Sequence, residues 1–396
     1  MKNNLLTKIT VVLLTFALMG DMVVIPAAGG IFTTFYDANP ALLNFILTGP
    51  MLISVAASFL CGFLARTISK KYLLIGGYVL FIVAACGGAL IDNIYYVVTM
   101  RAIAGFTYGI VGTAATGLIA EIFLDEKVRS FMMGAYNAAM SAVGVILSLI
   151  SGFLAVGNWH NSFYIYLAAI PILIMAIAFL PKTPPEGKAS ADASANTDRL
   201  PLGKFLPVAA AFLLLSALYY IVVYFIAIYV EEMKLGDAST AGIFGSASTV
   251  GSFVACMLFS VIYMRLKRAT PIVVFLVMAA AYIVMAFPSN IWVVGIMCLL
   301  SGAAYGLGMS YYFMHSSMIV PAGVMSLAMG IINAVIGLGG FFSSYALELY
   351  KGVFHAETMA PTFMYIGITL AIGGILSIIL TIRAGKNPVN VENTNA

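Results

Sequence analysis

Apolar stretches long enough to cross a bilayer follow one another along almost the whole chain. A helix needs about 20 mostly apolar residues to span the hydrocarbon core. Twelve such segments can be marked, at about 9–28, 41–64, 72–91, 94–120, 130–154, 162–180, 206–230, 240–263, 271–287, 290–314, 323–347 and 361–382. Their apolar runs are continuous rather than alternating, which predicts helices and not barrel strands. Hydrophobic residues make up 62% of the chain and charged residues 9%, against roughly 45–50% and about 25% in a soluble domain. No soluble core of this size could hide so much apolar surface, because some of it must still face water. The sequence therefore predicts an all-α membrane protein with lipid as its surroundings. A net charge of +4 spread over scattered basic residues excludes nucleic acid as a partner.

Short connections pack neighbouring spans antiparallel. Only residues 181–204, PKTPPEGKASADASANTDRLPLGK, form a long polar linker. It separates an N-terminal six-helix bundle, 1–180, from a C-terminal one, 205–396. Orientation follows from the basic residues, which concentrate in cytoplasmic loops. With the N-terminus inside, sixteen of the nineteen Lys and Arg residues fall on that side. Lys234 and Lys351 lie outside, and Arg101 lies within a span. Both termini are thus expected in the cytoplasm, and the first span is expected to be kept rather than cleaved as a leader. The absence of any Asn-x-Ser/Thr acceptor fits a bacterial inner, or plasma, membrane. The four cysteines all sit in apolar spans and read as packing residues.

A plain nonapeptide occurs twice. SFMMGAYNA at 130–138 returns as SLAMGIINA at 326–334, and GFTYG at 105–109 returns as GAAYG at 302–306. Lys70-Lys71 returns as Lys267-Arg268. One register, 196 or 197 residues, links all three pairs. It predicts two parallel six-helix repeats about a pseudo-twofold axis along the membrane normal. Small residues three or four apart let helix backbones approach, so the repeated segments read first as packing surfaces.

Three ionisable residues interrupt the spans: Asp21, Arg101 and Glu121. Such charges are costly in lipid and face a cavity or a partner. Asp21 and Arg101 each lie about seven residues from the outer end of their spans, roughly 10 Å below the surface, so they can pair. In the register of 197 residues their counterparts are Leu218 and Cys298. The shared fold therefore does not require either charge. Asp21 reads as the carrier of a coupling proton and Arg101 as the residue that tunes it. A neighbouring cation favours the carboxylate and burial favours the neutral acid, so movement between states changes which wins. The alternative is a fixed ion pair locking spans one and four. Glu121, near Arg66 and Arg129, reads equally as an ion-pair residue of the cytoplasmic gate or as a simple interfacial anchor. Glu231 and Glu232 read as solvated, and Tyr229 and Tyr263 as members of the interfacial belts.

Twelve spans as six plus six, the polar linker and the basic loop after span two resemble the major facilitator superfamily. GFLARTISKK (62–71) aligns with that family's Gly-x-x-x-Asp-Arg-x-Gly-Arg-Arg signature through Gly62, Lys70 and Lys71, with Arg66 where the acid is expected. RAIAGFTYG (101–109) fits the Arg-x-x-x-Gly-x-x-x-Gly pattern of proton-coupled members. GNWHNSF (157–163) resembles the aromatic-basic loop before span six, with His160 in the usual Arg place. The branch it most resembles is the 12-span drug/proton antiporters, although span five lacks their proline.

The resemblance implies a major facilitator fold and a cavity lined by spans 1, 4, 7 and 10; Arg66, Lys70 and Lys71 of the 62–71 loop, with Glu121 and Arg129 beyond it, are the candidate residues of a cytoplasmic gate. Tyr108, Tyr219, Tyr220, Tyr224, Tyr305 and Met309 are then the candidate substrate-binding residues. Tyrosine offers an apolar face with a polar handle, and methionine adapts to varied shapes. No phosphate-binding loop, metal-ligand cluster or nucleophile constellation is present in the sequence, so neither an enzyme nor an ATP-driven pump is expected, and no cofactor. The expected function is proton-coupled export of small amphipathic organic compounds by alternating access, each chain working as a monomer. Uptake or facilitated diffusion of a metabolite through the same scaffold is the alternative. A non-transporting receptor would need an added soluble domain.

Overall fold

The structure, a computed structural model, describes residues 5–156, 158–189, 199–236, 238–287 and 290–386. Residues 190–198 of the linker and both chain ends lie outside the described residues. The described residues are helical with turns and contain no strand.

The first span is three helical pieces, α1 (Leu5–Leu13), α2 (Thr15–Leu18) and α3 (Asp21–Thr34). It is followed by α4 (Pro40–Leu64), α5 (Lys70–Gly87), α6 (Ile94–Ile122) and α7 (Glu126–Leu154). Span six begins as a 3-10 helix, Trp159–Ala168, and continues as α8 (Ala169–Phe179). A short α9 (Glu186–Ala189) lies in the linker. The second half contributes α10 (Leu202–Glu232), α11 (Ala238–Leu266), α12 (Thr270–Met285), α13 (Ile291–Ile319), α14 (Met325–Phe354) and α15 (Met359–Lys386).

Eleven continuous helical stretches among the described residues are long and apolar enough to cross a membrane. One of them, Thr240–Met285, has 46 residues. At 1.5 Å per residue that is about 69 Å, more than twice the roughly 30 Å hydrocarbon core. The 3-10 turn Lys267–Ala269 divides it into α11 and α12, so the described residues offer twelve candidate crossings.

Two compact units result. One comprises Met1–Ser216 with Tyr312–Phe341, the other Ala217–Tyr311 with Phe342–Ala396. Within each, the same small set of contacts recurs, which gives the sequence repeat a physical meaning. A Cβ added at Gly109 would collide with Ser54 O and Ser58 N of α4, and one at Gly306 with the Ser252 backbone of α11. These glycines let α6 lie on α4 and α13 on α11. Cys61 Sγ meets Ile110 O of α6 at 3.4 Å, and Cys256 Sγ meets Gly306 O of α13 at 3.3 Å. Tyr78 Oη donates to Leu14 O at 2.8 Å, and Tyr282 Oη donates to Leu218 O.

The last pair corrects one register. Leu14 and Leu218, like Tyr78 and Tyr282, are 204 residues apart. Leu218 is therefore the counterpart of Leu14, and Asp21 corresponds to Phe225. The offset shifts because α5 continues to Gly87, nine residues past Tyr78, whereas α12 ends at Met285, three past Tyr282. The inference that the second copy lacks the charge stands.

Candidate functional site

Asp21 owes its position to the break in span one. The helical ladder stops at Met19-Gly20 and restarts with Asp21 as the first residue of α3, where a carboxylate meets the positive end of the helix. The carbonyls that a break frees need donors. Tyr166 Oη donates to Gly20 O at 2.8 Å and Tyr78 Oη to Leu14 O at 2.8 Å. Both tyrosines are buried, so their hydroxyls serve the broken backbone rather than solvent.

Arg101 reaches this break from α6. Its Nη2 donates to Asp21 Oδ1, its Nε to Ile46 O of α4 at 2.9 Å, and its Nη1 to Tyr108 Oη at 3.3 Å. The guanidinium thus ties α3, α4 and α6 together. The Arg101 side chain is 4% exposed and that of Asp21 is 23%. The cation is sealed in while the acid keeps an open side. The sequence expectation that these two meet holds geometrically. Tyr108 joins them as a ligand of Arg101.

The aromatic residues of α10 and α13 gather in the other unit. Tyr219 and Tyr305 stack with ring centroids 3.9 Å apart at 7°. Tyr220 lies edge-on to Tyr305 at 5.9 Å and stacks on Tyr224 at 5.4 Å. Tyr219 Oη shares a hydrogen bond with Ser248 Oγ at 3.0 Å. The series runs from buried Tyr219 and Tyr305 to half-exposed Tyr224, so its Tyr224 end offers open π-face while its Tyr219 end is fixed by packing. Met309 is buried on α13. Aromatic faces of this kind hold planar apolar groups and organic cations.

At the end of the bundle that carries the basic loops, Lys70 is 2% exposed and bridges two carboxylates, Glu121 at 2.7 Å and Glu186 at 2.7 Å. Lys71 Nζ donates to Ile177 O and Leu180 O, both at 2.8 Å, at the C-terminal end of α8, where a cation complements the helix dipole. Arg129 donates to Phe123 O at 2.8 Å and to Ser317 O at 3.3 Å. Arg66 is exposed, and its carbonyl accepts from Gly187 N at 3.0 Å. Lys70, rather than Arg66 or Arg129, is thus the ion-pair partner of Glu121. At the opposite end His160 Nε2 lies 2.7 Å from Asp92 Oδ1.

Other expectations are corrected. Glu232 caps α15 through Met359 N at 2.6 Å. Tyr229 donates to Met285 O at 2.6 Å and stacks on Phe363, and Tyr263 is buried against Phe259. Each ring also meets a neighbouring helix, Tyr229 through Phe363 of α15 and Tyr263 through Tyr311 of α13, rather than the bilayer interface. Glu186 was missed as a site residue, since a glutamate in a Pro-, Ala- and charge-rich linker reads as solvated. The nearest signal was the acid missing from position 66.

Comparison with known proteins completes the description. The model of the Major Facilitator Superfamily matches residues 10–344. The arabinose-proton symporter of Escherichia coli (strain K12) is 26% identical over 166 residues, covering 41% of this chain and 35% of the symporter. The methylenomycin A resistance protein of Bacillus subtilis (strain 168) is 28% identical over 153 residues, covering 37% of this chain and 32% of that protein. The matched stretches therefore span about a third of those relatives' length. Among solved structures, the proton:xylose symporter XylE superposes with a TM-score of 0.69 at 16% identity, covering 95% of each chain. The human organic anion transporter MFSD10 superposes with 0.72 at 14%, covering 94% of this chain and 99% of the other. These neighbours are transporters and not enzymes. A twelve-crossing helical fold built from a duplicated six-helix pattern, matched by the family model over most of its length, makes this chain a member of the Major Facilitator Superfamily.

Proposed function

We propose that this transporter couples proton movement to export of small amphipathic organic compounds by alternating access. The observation that carries this reading is the Asp21–Arg101 pair, set at a break in span one and absent from the second repeat. A fold-stabilising pair would be expected in both copies of a duplicated unit. A working pair is needed once. Protonation of Asp21 would release Arg101 to Ile46 O and Tyr108, loosening the tie between α3 and α6. The open face of Tyr224 on α10, backed by the buried tyrosines behind it, supplies the substrate class: flat or cationic molecules with apolar bodies. In this reading the six-helix halves 1–180 and 205–396 are the rocking bodies. The 181–204 segment joins them in the cytoplasm with both termini, in a bacterial plasma membrane, and the monomer is the working unit.

The partial match to an arabinose-proton symporter favours a second reading, proton-coupled uptake of a metabolite. The tyrosine series weighs against a polyol, whose hydroxyls call for amide-bearing side chains. Liposomes with an imposed pH gradient, screened with cationic dyes and with sugars, separate the two. Gradient-driven movement of dyes opposite to protons supports export, and co-movement of sugars with protons replaces it. Movement indifferent to the gradient removes coupling altogether.

A further inference from the structure

Glu186 stands apart from the rest of the linker. Its side chain is 3% exposed, and its Oε1 collects three donors: Lys70 Nζ at 2.7 Å, Ser326 N at 2.9 Å and Ser326 Oγ at 2.7 Å. Lys70 begins α5, and Ser326 lies in the first turn of α14, where an acid satisfies an otherwise unpaired N–H. Glu186 is therefore the atom-level link between two helices that are far apart in sequence. The position in the 62–71 loop where the family signature carries an acid holds Arg66 instead, and the linker delivers an acid to the same turn.

The backbone of the linker is fastened to the α4–α5 turn. Glu186 N donates to Ala65 O and Gly187 N to Arg66 O, each at 3.0 Å, which lays α9 along the α4–α5 turn. Lys71 holds the carbonyls of Ile177 and Leu180 just before the linker begins. Residues 181–187 are thus pinned at both ends to the α4–α5 turn. Their polar tie to α14 runs through the Glu186 carboxylate and Ser326, beside packing of α9 on the turn Ala322–Val324 that leads into that helix. Close by, Leu327 of α14 packs on Gly62 of α4, where an added Cβ would lie 2.7 Å from Leu327 Cα.

We propose that Glu186 is a gating residue and that residues 181–189 are a working part of the gate. While Glu186 is seated on Ser326, α14 is held against α4 and α5. When this end opens, the linker stays with the α4–α5 turn and α14 leaves it, breaking the Ser326 contacts and keeping the Lys70 pair. The proposal rests on the alternating-access reading only in that opening of this end is a step of the cycle.

The test uses the full chain with its four cysteines replaced and Leu327→Cys as reporter, in vesicles whose basic-loop face is exposed to an impermeant maleimide. Loss of a hydrogen bond to a charged group is worth about tenfold in an opening equilibrium. Glu186→Gln and Ser326→Ala should each raise the labelling rate about tenfold or more, and Glu186→Asp should return it toward the parent. Tryptic cleavage after Lys182 and Lys188 should accelerate in Glu186→Gln and stay at the parent rate in Ser326→Ala, because the linker remains on α5. A protease site inserted at 193–194 and cut should leave labelling unchanged. Parent-rate labelling in both variants overturns the proposal, and so does faster labelling after the cut. Ser326→Ala leaves the buried Lys70–Glu186 pair intact, so it reports even if Glu186→Gln folds poorly. Neither readout needs a substrate or a proton gradient, so failure here is distinct from failure of the transport reading.

Discussion

Replacing Arg101 by Met removes the cation that ties three helices to the broken first span. Removing one member of a buried ion pair costs about 3–5 kcal/mol. The guanidinium is 4% exposed, but Asp21 keeps 23% of its surface open. Water can therefore take over part of the carboxylate's solvation, and the expected loss falls to about 2–3 kcal/mol, with Ile46 O and Tyr108 Oη also left short of a donor. Asp21→Asn still offers Arg101 an acceptor and should cost less, about 1–2 kcal/mol. Because each single change spoils the same contact, the double variant should be less damaged than the sum by about 1–2 kcal/mol. Equilibrium unfolding of the four proteins in mixed micelles at neutral pH reads this cycle directly. If Arg101→Met lies within about 0.5 kcal/mol of the parent, or the two changes simply add, the pair is not an energetic unit and the argument from geometry fails.

Other expectations follow from the same contacts. Tyr78→Phe and Tyr282→Phe each leave a carbonyl of their half's first span, Leu14 O or Leu218 O, without this donor and should destabilise by about 1–3 kcal/mol. Unfolding that shows a large cost for one and none for the other would deny their equivalence in the repeat. Gly109→Leu and Gly306→Leu should abolish folded protein, because the added side chain meets helix backbone. Gly29→Leu, with nothing within 4 Å of its added Cβ, should express normally, and monodispersity in detergent distinguishes the three. Tyr305→Ala should raise the KM of a transported aromatic or cationic compound with little change in kcat, the mark of lost ground-state binding. Tyr305→Phe should not, since the 3.9 Å stack on Tyr219 survives.

The architecture was legible because lipid imposes it. Twelve apolar runs of the right length leave little choice but helices, and repeated glycines at 105, 109, 302 and 306 mark where backbones touch. The Asp21–Arg101 pair was legible from depth alone, since two opposite charges at one level in lipid seek each other. Local sequence could not show which end of a long side chain wins a contact. Lys70, not Arg66 or Arg129, holds Glu121, because Lys70 points inward at the start of α5 while Arg66 stays exposed. Glu186 was illegible for a related reason: its partner Ser326 is 140 residues away, and linker composition predicts solvation. Tyr229 and Tyr263 lie near span ends yet pack inward, so position along a helix did not reveal its facing. The registers shift where paired helices differ in length, as α5 and α12 do, which is why one offset serves the fourth spans and another the first.

Proton coupling through Asp21 is the central claim, and transport in sealed liposomes tests it most directly. A substrate found in the gradient screen is followed in parent and Asp21→Asn protein, both as accumulation against a pH gradient and as substrate exchange without one. The account predicts gradient-driven accumulation by the parent alone, with exchange retained in the variant. Gradient-driven accumulation of equal size in Asp21→Asn would contradict it.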